Sequence, residues 1–164
     1  MYQSKSQSKC YGCKSPSRIA VGCPFIKCAL KKDIEFCWDC PESLGCENWE
    51  KHKRASRSFD SFVCYQKLED SVRMVQEKGV EEFEKEQSAR EGLLKVMLDE
   101  FNEGRSKTLY CIATTVFEVK ELEAALSEAK KQAKGLDVKE KSRIMHQVLA
   151  KTAKGKNYIL KLRK

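Results

Sequence analysis

The cysteines near the start of the chain constrain its fold more than any other feature of the sequence. Seven of the nine cysteines lie within residues 10–46: Cys10, Cys13, Cys23, Cys28, Cys37, Cys40 and Cys46. The cluster contains two Cys-x2-Cys pairs, and such a pair lets adjacent thiolates converge on one metal ion from a tight turn. The spacing therefore predicts a small metal-binding module.

Disulfide bonds are the main alternative use of clustered cysteines. They require an oxidising compartment, yet the nine residues before Cys10 contain no apolar stretch that resembles a signal peptide. We therefore expect a cytoplasmic protein whose thiols stay reduced. Free cysteines that merely filled a core would be small apolar groups, which does not account for the paired spacing.

Zinc is the metal that the spacing favours. A structural zinc ion takes four ligands, so two sites need one ligand more than the seven cysteines supply. His52, six residues beyond Cys46, is the predicted eighth ligand, with Cys64 as the alternative. One arrangement gives two shells: Cys37, Cys40, Cys46 and His52, and Cys10, Cys13, Cys23 and Cys28. A crossed arrangement joins the two Cys-x2-Cys pairs, and the sequence does not choose between them.

An iron–sulfur cluster is the alternative cofactor. Such clusters also use Cys-x2-Cys spacing, often with a following proline, as in Cys40-Pro41. The dense C-x2-C-x2-C-x3-C-P run of bacterial ferredoxins is missing from this sequence, so zinc remains the first choice. An electron-transfer or sensor protein is therefore the leading alternative function.

The rest of the chain has the pattern of a helical domain. We predict a mainly α protein, with the cysteine-rich module in residues 1–54 and about four amphipathic helices in residues 55–164. Helix signals lie at these positions: 64–78 before Gly79, 80–103 before Gly104, 120–134 before Gly135, and a capping box at Asp137 and Glu140 that starts a helix ending near Gly155. Within the module, Pro24 predicts a short helix that runs to about Lys32.

Three further segments lie outside these predicted helices. Residues 54–58 read as a linker between the two parts. Residues 108–117 are rich in β-branched and aromatic side chains, which is typical of a short strand or of a buried helix. Residues 158–162 alternate apolar and polar side chains, so a short terminal strand is predicted there as an option.

Positive charge is concentrated at the end of the chain. The net charge is +8, and residues 130–164 hold twelve basic residues against Asp137 and Glu140, a local excess of ten. These cations, with Tyr158 as a stacking group, make nucleic-acid binding a second alternative function. Exposed lysines are nevertheless common on helical proteins, so the charge alone is a weak signal.

Signals of enzymatic activity are weak. The sequence lacks a Gly-x-Gly-x-x-Gly motif, a phosphate loop, a Gly-x-Ser-x-Gly elbow and a His-Glu-x-x-His motif. Cys64 and Cys111 fall in apolar patterns and are predicted to be buried rather than reactive. No stretch approaches the roughly 20 apolar residues that cross a bilayer, so we expect no membrane association.

The cysteine-rich strings resemble a known family. They are CYGCKS at 10–15, GCPFIKCALKK at 22–32, FCWDCPES at 36–43 and GCE at 45–47. Together they are similar to domain-of-unknown-function family 3795, which occurs mainly in anaerobic bacteria and archaea. The resemblance implies metal binding and implies no reaction. The family pattern also has an earlier cysteine cluster and a cysteine where this chain has Ala20.

The functional prediction is a zinc-binding protein of interaction or adaptor type. An all-cysteine shell leaves no open position for a catalytic water, so the zinc would be structural. The module then presents a rigid surface to an unknown protein partner, and the helical part supplies a core and a basic face.

Overall fold

The protein is mainly helical in the computed structural model, which describes residue 16 and residues 22–61 and 63–164. This described part contains seven α-helices, one short 3-10 helix and no strand. The chain divides into two compact units, Met1–Ala55 and Ser56–Lys164. We call them the cysteine unit and the helical unit. Within the described residues, no helix combines the length and the apolar character needed to cross a membrane.

The cysteine unit contains helix α1 (Pro24–Lys32), a 3-10 helix (Cys37–Asp39) and most of helix α2 (Glu47–Ser58). Pro24 stands at the start of α1, where its missing N–H costs nothing, and Asp33 ends the helix in the left-handed conformation at φ 51°. The predicted short helix from Pro24 to about Lys32 is thus confirmed. The predicted linker 54–58 is wrong, because those residues continue α2.

Aromatic rings hold α1 against α2. The ring centroid of Phe25 lies 6.3 Å from that of Trp49 and 5.5 Å from that of His52, in edge-on geometry. These rings are only partly buried, and none of the described residues 22–55 is fully buried. A unit of this size without a sealed apolar core has little hydrophobic stabilisation of its own.

The helical unit contains the last residues of α2 and five further helices. They are α3 (Leu68–Lys78), α4 (Val80–Glu100), α5 (Lys107–Val116), α6 (Val119–Gln132) and α7 (Val138–Lys156). Gly79, at φ 85°, separates α3 from α4 without a longer loop, and this positive φ favours glycine. The prediction of about four helices for residues 55–164 is one too low, because five helices follow α2.

The additional helix is α5, the segment for which the sequence left strand and helix open. Its buried side chains include Tyr110, Ala113 and Val116, which recur at helical spacing and face the core. The option of a strand at 108–117 is wrong. Side-chain hydroxyls of Thr114 and Thr115 donate to carbonyls one turn earlier, which accommodates these β-branched residues in a helix.

Side-chain caps start α6 and α7. Asp137 accepts a hydrogen bond from the amide of Glu140 at 2.9 Å, so the predicted start of α7 is confirmed. The complete reciprocal capping box lies instead at Glu118 and Glu121, before α6. Helix α7 runs past Gly155 and ends at Asn157, which adopts the left-handed conformation.

One apolar core joins α4, α5, α6 and α7. Its fully buried members include Met97, Phe101, Phe117, Leu122 and Leu149. Helix α3 contributes no buried residue and packs on α4. The core therefore belongs to the last four helices, and its continuous packing supplies the hydrophobic stabilisation of the unit.

The chain terminus is fixed by an ion pair rather than by a strand. The Asp60 carboxylate, whose side chain has no exposed surface, accepts bonds of 2.9 Å from two guanidinium nitrogens of Arg163. The Asp60 amide also donates to the Arg163 carbonyl at 2.8 Å. The predicted terminal strand at 158–162 does not form, and Tyr158 packs its ring 5.2 Å from that of Phe117.

Candidate metal centre

Four of the predicted metal ligands line one pocket in the cysteine unit. The cysteines are Cys28, Cys37, Cys40 and Cys46, and the pocket encloses a cavity of about 30 Å³. Apolar side chains that include Phe25, Ile34 and Trp49 form much of the remaining wall. All four cysteines are free thiols of intermediate exposure. Soft donors thus face a small apolar pocket from several parts of the unit.

Local turns bring the four cysteines to this pocket. Cys28 lies on α1, Cys37 opens the 3-10 helix, Cys40 follows it, and Cys46 directly precedes α2. The Cys40 amide donates to the Cys37 carbonyl at 3.3 Å, as a tight turn between Cys-x2-Cys partners requires. The Cys40 carbonyl then accepts from Ser43 at 2.9 Å, and the Cys46 carbonyl accepts from Glu50 at 3.0 Å.

The Cys37 thiol lies near enough to the other three cysteines to be affected by their charge. Burial raises the pKa of the Cys37 thiol above its usual value, and negative charge on Cys46, Cys28 and Cys40 raises it further. Like charges oppose one another when several thiols ionise at one place. A bound cation reverses that repulsion, because a metal is the largest local charge in such a site.

Lys32 lies beside the four cysteines that line the pocket. Its ammonium donates a hydrogen bond of 3.4 Å to the Cys40 sulfur and forms an ion pair of 2.7 Å with the Glu42 carboxylate. The bond to Glu42 and the negative charge of Cys40 raise the pKa of Lys32 above its usual value. The positively charged Lys32 side chain thus contacts the four cysteines through the sulfur of Cys40.

The pocket contains the donor atoms of a known kind of metal site. Four cysteine sulfurs are a common ligand set of closed structural zinc sites, and iron–sulfur clusters use the same set. Across the described ranges 22–61 and 63–164, no three Cys, His, Asp or Glu side chains are arranged to hold a metal ion. The four sulfurs that line the pocket are thus not arranged around one ion, and they would have to approach one another further to bind a metal.

Of the other predicted ligands, Cys23 and His52 lie within the described residues. Cys10 and Cys13 lie outside the described residues. Cys23 directly precedes α1. Neither Cys23 nor His52 is among the described residues that line the pocket. The His52 ring packs against the aromatic rings of Phe25 and Trp49, at centroid distances of 5.5 and 5.8 Å. The structure thus groups Cys28, rather than His52, with Cys37, Cys40 and Cys46.

The two remaining cysteines lie in the helical unit. Cys64 and Cys111 are partly buried and pack against the apolar core, so the predicted burial is only partial. Burial raises the pKa of each thiol above its usual value. The Cys64 sulfur accepts a hydrogen bond from the Gln66 amide at 3.4 Å. A raised pKa lowers the thiolate fraction, which makes both cysteines poor nucleophiles.

A buried polar network in the helical unit was missed by the sequence reasoning. The Ser106 hydroxyl lies 2.6 Å from Nε2 of His146 and 2.6 Å from Oε2 of Glu103. Ser142 joins it, at 2.9 Å from the Ser106 hydroxyl, and also bonds to Glu103. These residues come from the loop before α5 and from α7, with Ser106 and His146 40 positions apart, so no local motif indicates them.

The network contains a serine–histidine contact, but both of its serine hydroxyls donate to the Glu103 carboxylate. Hydrogen bonds from Ser106 and Ser142 lower the pKa of Glu103 to about 2, so the carboxylate is ionised and accepts from both hydroxyls. If Ser106 donates its one proton to Glu103, the contact with His146 requires an N–H at Nε2 of the imidazole as the donor. Ser106 is also fully buried, at 1% exposure. A nucleophile requires the opposite direction of proton transfer and access to substrate.

Acidic partners engage several cations of the basic C-terminal stretch. Lys130 pairs with Glu100 at 2.7 Å, Lys156 with Glu121 at 3.1 Å and Lys151 with Glu128 at 3.4 Å. Tyr158, the predicted stacking residue, packs against Phe117 in tilted geometry, and the Lys67 ammonium lies 5.7 Å from its ring centroid. No geometric feature of the described residues therefore adds to the charge argument for nucleic-acid binding.

Comparison with known proteins is informative for the cysteine unit alone. No curated protein and no solved structure shows significant similarity to the chain. A family model matches about the first third of the sequence. The matched part includes all seven clustered cysteines and leaves out the helical unit. Residues 1–51 match the model of the family described as protein of unknown function (DUF3795), which confirms the resemblance indicated by the cysteine strings.

Proposed function

We propose that this protein is a zinc-stabilised interaction protein, in which Cys28, Cys37, Cys40 and Cys46 bind one structural zinc ion. The observation that carries the proposal is that these four cysteines, from α1, the 3-10 turn and the start of α2, line a single pocket. Four thiolates complete a tetrahedral shell and leave no position for a catalytic water. The metal therefore acts on the fold.

The scarcity of burial in the cysteine unit supports a structural role for the metal. No described residue in positions 22–55 is fully buried, so hydrophobic burial contributes little to the stability of this unit. Binding of zinc to a site that forms only in the folded state adds its free energy to folding. The thiol groups, brought to one pocket by local turns, would converge as the metal binds.

A second zinc site would use the remaining predicted ligands. Cys10, Cys13 and Cys23 supply three thiols, and His52 is the fourth candidate. The aromatic packing of His52 against Phe25 and Trp49 leaves its ring partly exposed. Two ions per chain remain the expected total.

The interaction role rests on the surface around the pocket. Leu44 lies in the turn between Cys40 and Cys46 and is 97% exposed. An apolar side chain held out by a loop between two zinc ligands is a rigid contact point for a protein partner, because the metal would fix the loop. The partner is a protein with a small apolar depression.

An iron–sulfur cluster is the second candidate, since the same four-cysteine set serves it equally well. Elemental analysis of protein purified without oxygen separates the two. Zinc without iron or sulfide supports the proposal, whereas iron with matching sulfide, a brown colour and visible absorption support an electron-transfer or sensor protein. Protein free of both metals would contradict both.

A cysteine variant tests the ligand assignment. We expect Cys40→Ser to lose one zinc ion and to destabilise the cysteine unit, because a hydroxyl is a poor replacement for a soft thiolate. Cys111→Ser, which alters a cysteine of the helical unit, is the matched control and should retain all zinc. Equal zinc content in both variants would show that the pocket is not the metal site.

A further inference from the structure

We infer that Lys32 is a positioning residue of the metal site, whose ammonium binds the Cys40 sulfur and offsets the negative charge of the metal-bound thiolates. This inference rests on the proposed function. Among the seven cysteines with described positions, Cys40 is the one in contact with a lysine ammonium, at 3.4 Å. A sulfur accepts hydrogen bonds weakly when neutral and strongly when it is a thiolate.

The negative charge of the proposed site favours a cation in contact with one of its sulfurs. Four thiolates around one Zn²⁺ leave two uncompensated negative charges. The Lys32 ammonium, 3.4 Å from one of these sulfurs, offsets part of this charge where it is held. Hydrogen bonds to metal-bound atoms orient the ligands and tune the site, and their loss typically costs about 10- to 100-fold in metal affinity.

Glu42 holds Lys32 in place. Its carboxylate lies 2.7 Å from the Lys32 ammonium, and only Pro41 separates it from Cys40 in the chain. Lys32 has 27% of its side chain exposed, while Glu42 has 80% exposed. The ion pair thus lies at the rim of the site, with the lysine facing inward to the sulfur and the glutamate facing solvent.

Lys31 provides a matched control. It is the preceding residue of α1, it is exposed, and its charge also acts on Glu42. Lys31→Met removes one positive charge from the same turn and leaves the hydrogen bond from Lys32 to Cys40 in place. A general effect of charge on zinc affinity would therefore appear in both methionine variants, whereas an effect of the contact would appear in Lys32→Met alone.

The test is a zinc-affinity measurement on the full chain by competition with a chromogenic chelator. The pocket site is identified as the binding step that Cys40→Ser abolishes. For that step we expect Lys32→Met to weaken zinc binding by about tenfold, with Lys31→Met close to the original protein and Lys32→Arg largely restored. Glu42→Gln, which frees Lys32 without removing it, should give a smaller loss and covers the case in which Lys32→Met does not fold.

Two results would overturn the inference, and they differ. Equal zinc affinity in Lys32→Met and Lys31→Met, with the Cys40-dependent step intact, would remove the role of Lys32 and leave the proposed zinc site standing. Failure of the original protein to bind zinc at any Cys40-dependent step would remove both.

Discussion

In the helical unit, α4 to α7 enclose an apolar core in which Met97, Phe117 and Leu149 have no exposed surface. In the cysteine unit, the described residues 22–55 include none that is fully buried, and four thiols surround its pocket. Both units belong to one chain, so they experience the same solution conditions. The difference teaches that they need different sources of stability: apolar burial for one, and by our proposal a metal for the other.

The largest effect on the helical unit should come from its core. We expect Phe117→Ala to lower the free energy of unfolding of this unit by about 3–5 kcal/mol, because a fully buried ring leaves a cavity. Denaturant unfolding followed by far-ultraviolet circular dichroism measures it. Phe59→Ala removes a ring that is 51% exposed and should cost far less. Similar costs for the two variants would mean that the core does not carry this unit.

The ion pair at the chain terminus should rank second. We expect Arg163→Ala to cost roughly 2 kcal/mol, below the 3–5 kcal/mol typical of a fully buried pair, because Arg163 keeps 18% of its side chain exposed. The buried Asp60 carboxylate would lose its charge partner. Lys164→Ala is the control in the same tail. Thermal unfolding that is identical for both variants would show that the tail does not contribute.

Acid should weaken the helical unit through two carboxylates. Hydrogen bonds from Arg163 hold the pKa of Asp60 far below its usual range, and Ser106 and Ser142 lower that of Glu103 to about 2. A depressed folded-state pKa contributes stability above the unfolded value of about 4, and this stability is lost as pH falls towards 2.

Denaturant unfolding between pH 6 and pH 2 measures this loss. Glu103→Gln and Asp60→Asn should each be less stable near neutral pH and show a shallower decline in acid. A decline as steep as that of the original protein in both variants would rule out these carboxylates as its source.

The smallest expected effect concerns the cysteines outside the cluster. Cys111→Ala should cost on the order of 1 kcal/mol, since this thiol is only partly buried against the core. Zinc content should stay unchanged, as it should for Cys64→Ala. A loss of zinc on replacing Cys64 would make that residue the eighth ligand in place of His52.

Local signals in the sequence were sufficient for much of this architecture. Pro24, Gly79 and Asp137 mark helix ends through their own backbone or capping chemistry, so each boundary was predictable from a few neighbouring residues. The segment 108–117 was ambiguous because β-branched side chains favour strands, and burial of one helical face decided its conformation.

Contacts between distant residues were not predictable in the same way. The cysteine spacing indicated a thiol cluster, but the position of Cys28 beside Cys37 depends on how α1 packs against the following turns. The bond between Ser106 and His146 joins residues 40 positions apart, and that between Asp60 and Arg163 joins residues 103 apart. Such pairings follow from tertiary packing, which no short spacing pattern encodes.

The two tryptophans report on whether metal, rather than an apolar core, stabilises the cysteine unit as we propose. Trp38 and Trp49 are the only tryptophans of the chain, and both lie in this unit, where they contact Phe36 and Phe25. A strong chelator should therefore shift tryptophan fluorescence to the red, while most of the helical circular dichroism persists because α3 to α7 lie in the other unit. Unchanged fluorescence after the zinc has been removed, or simultaneous loss of all helical signal, would contradict the account.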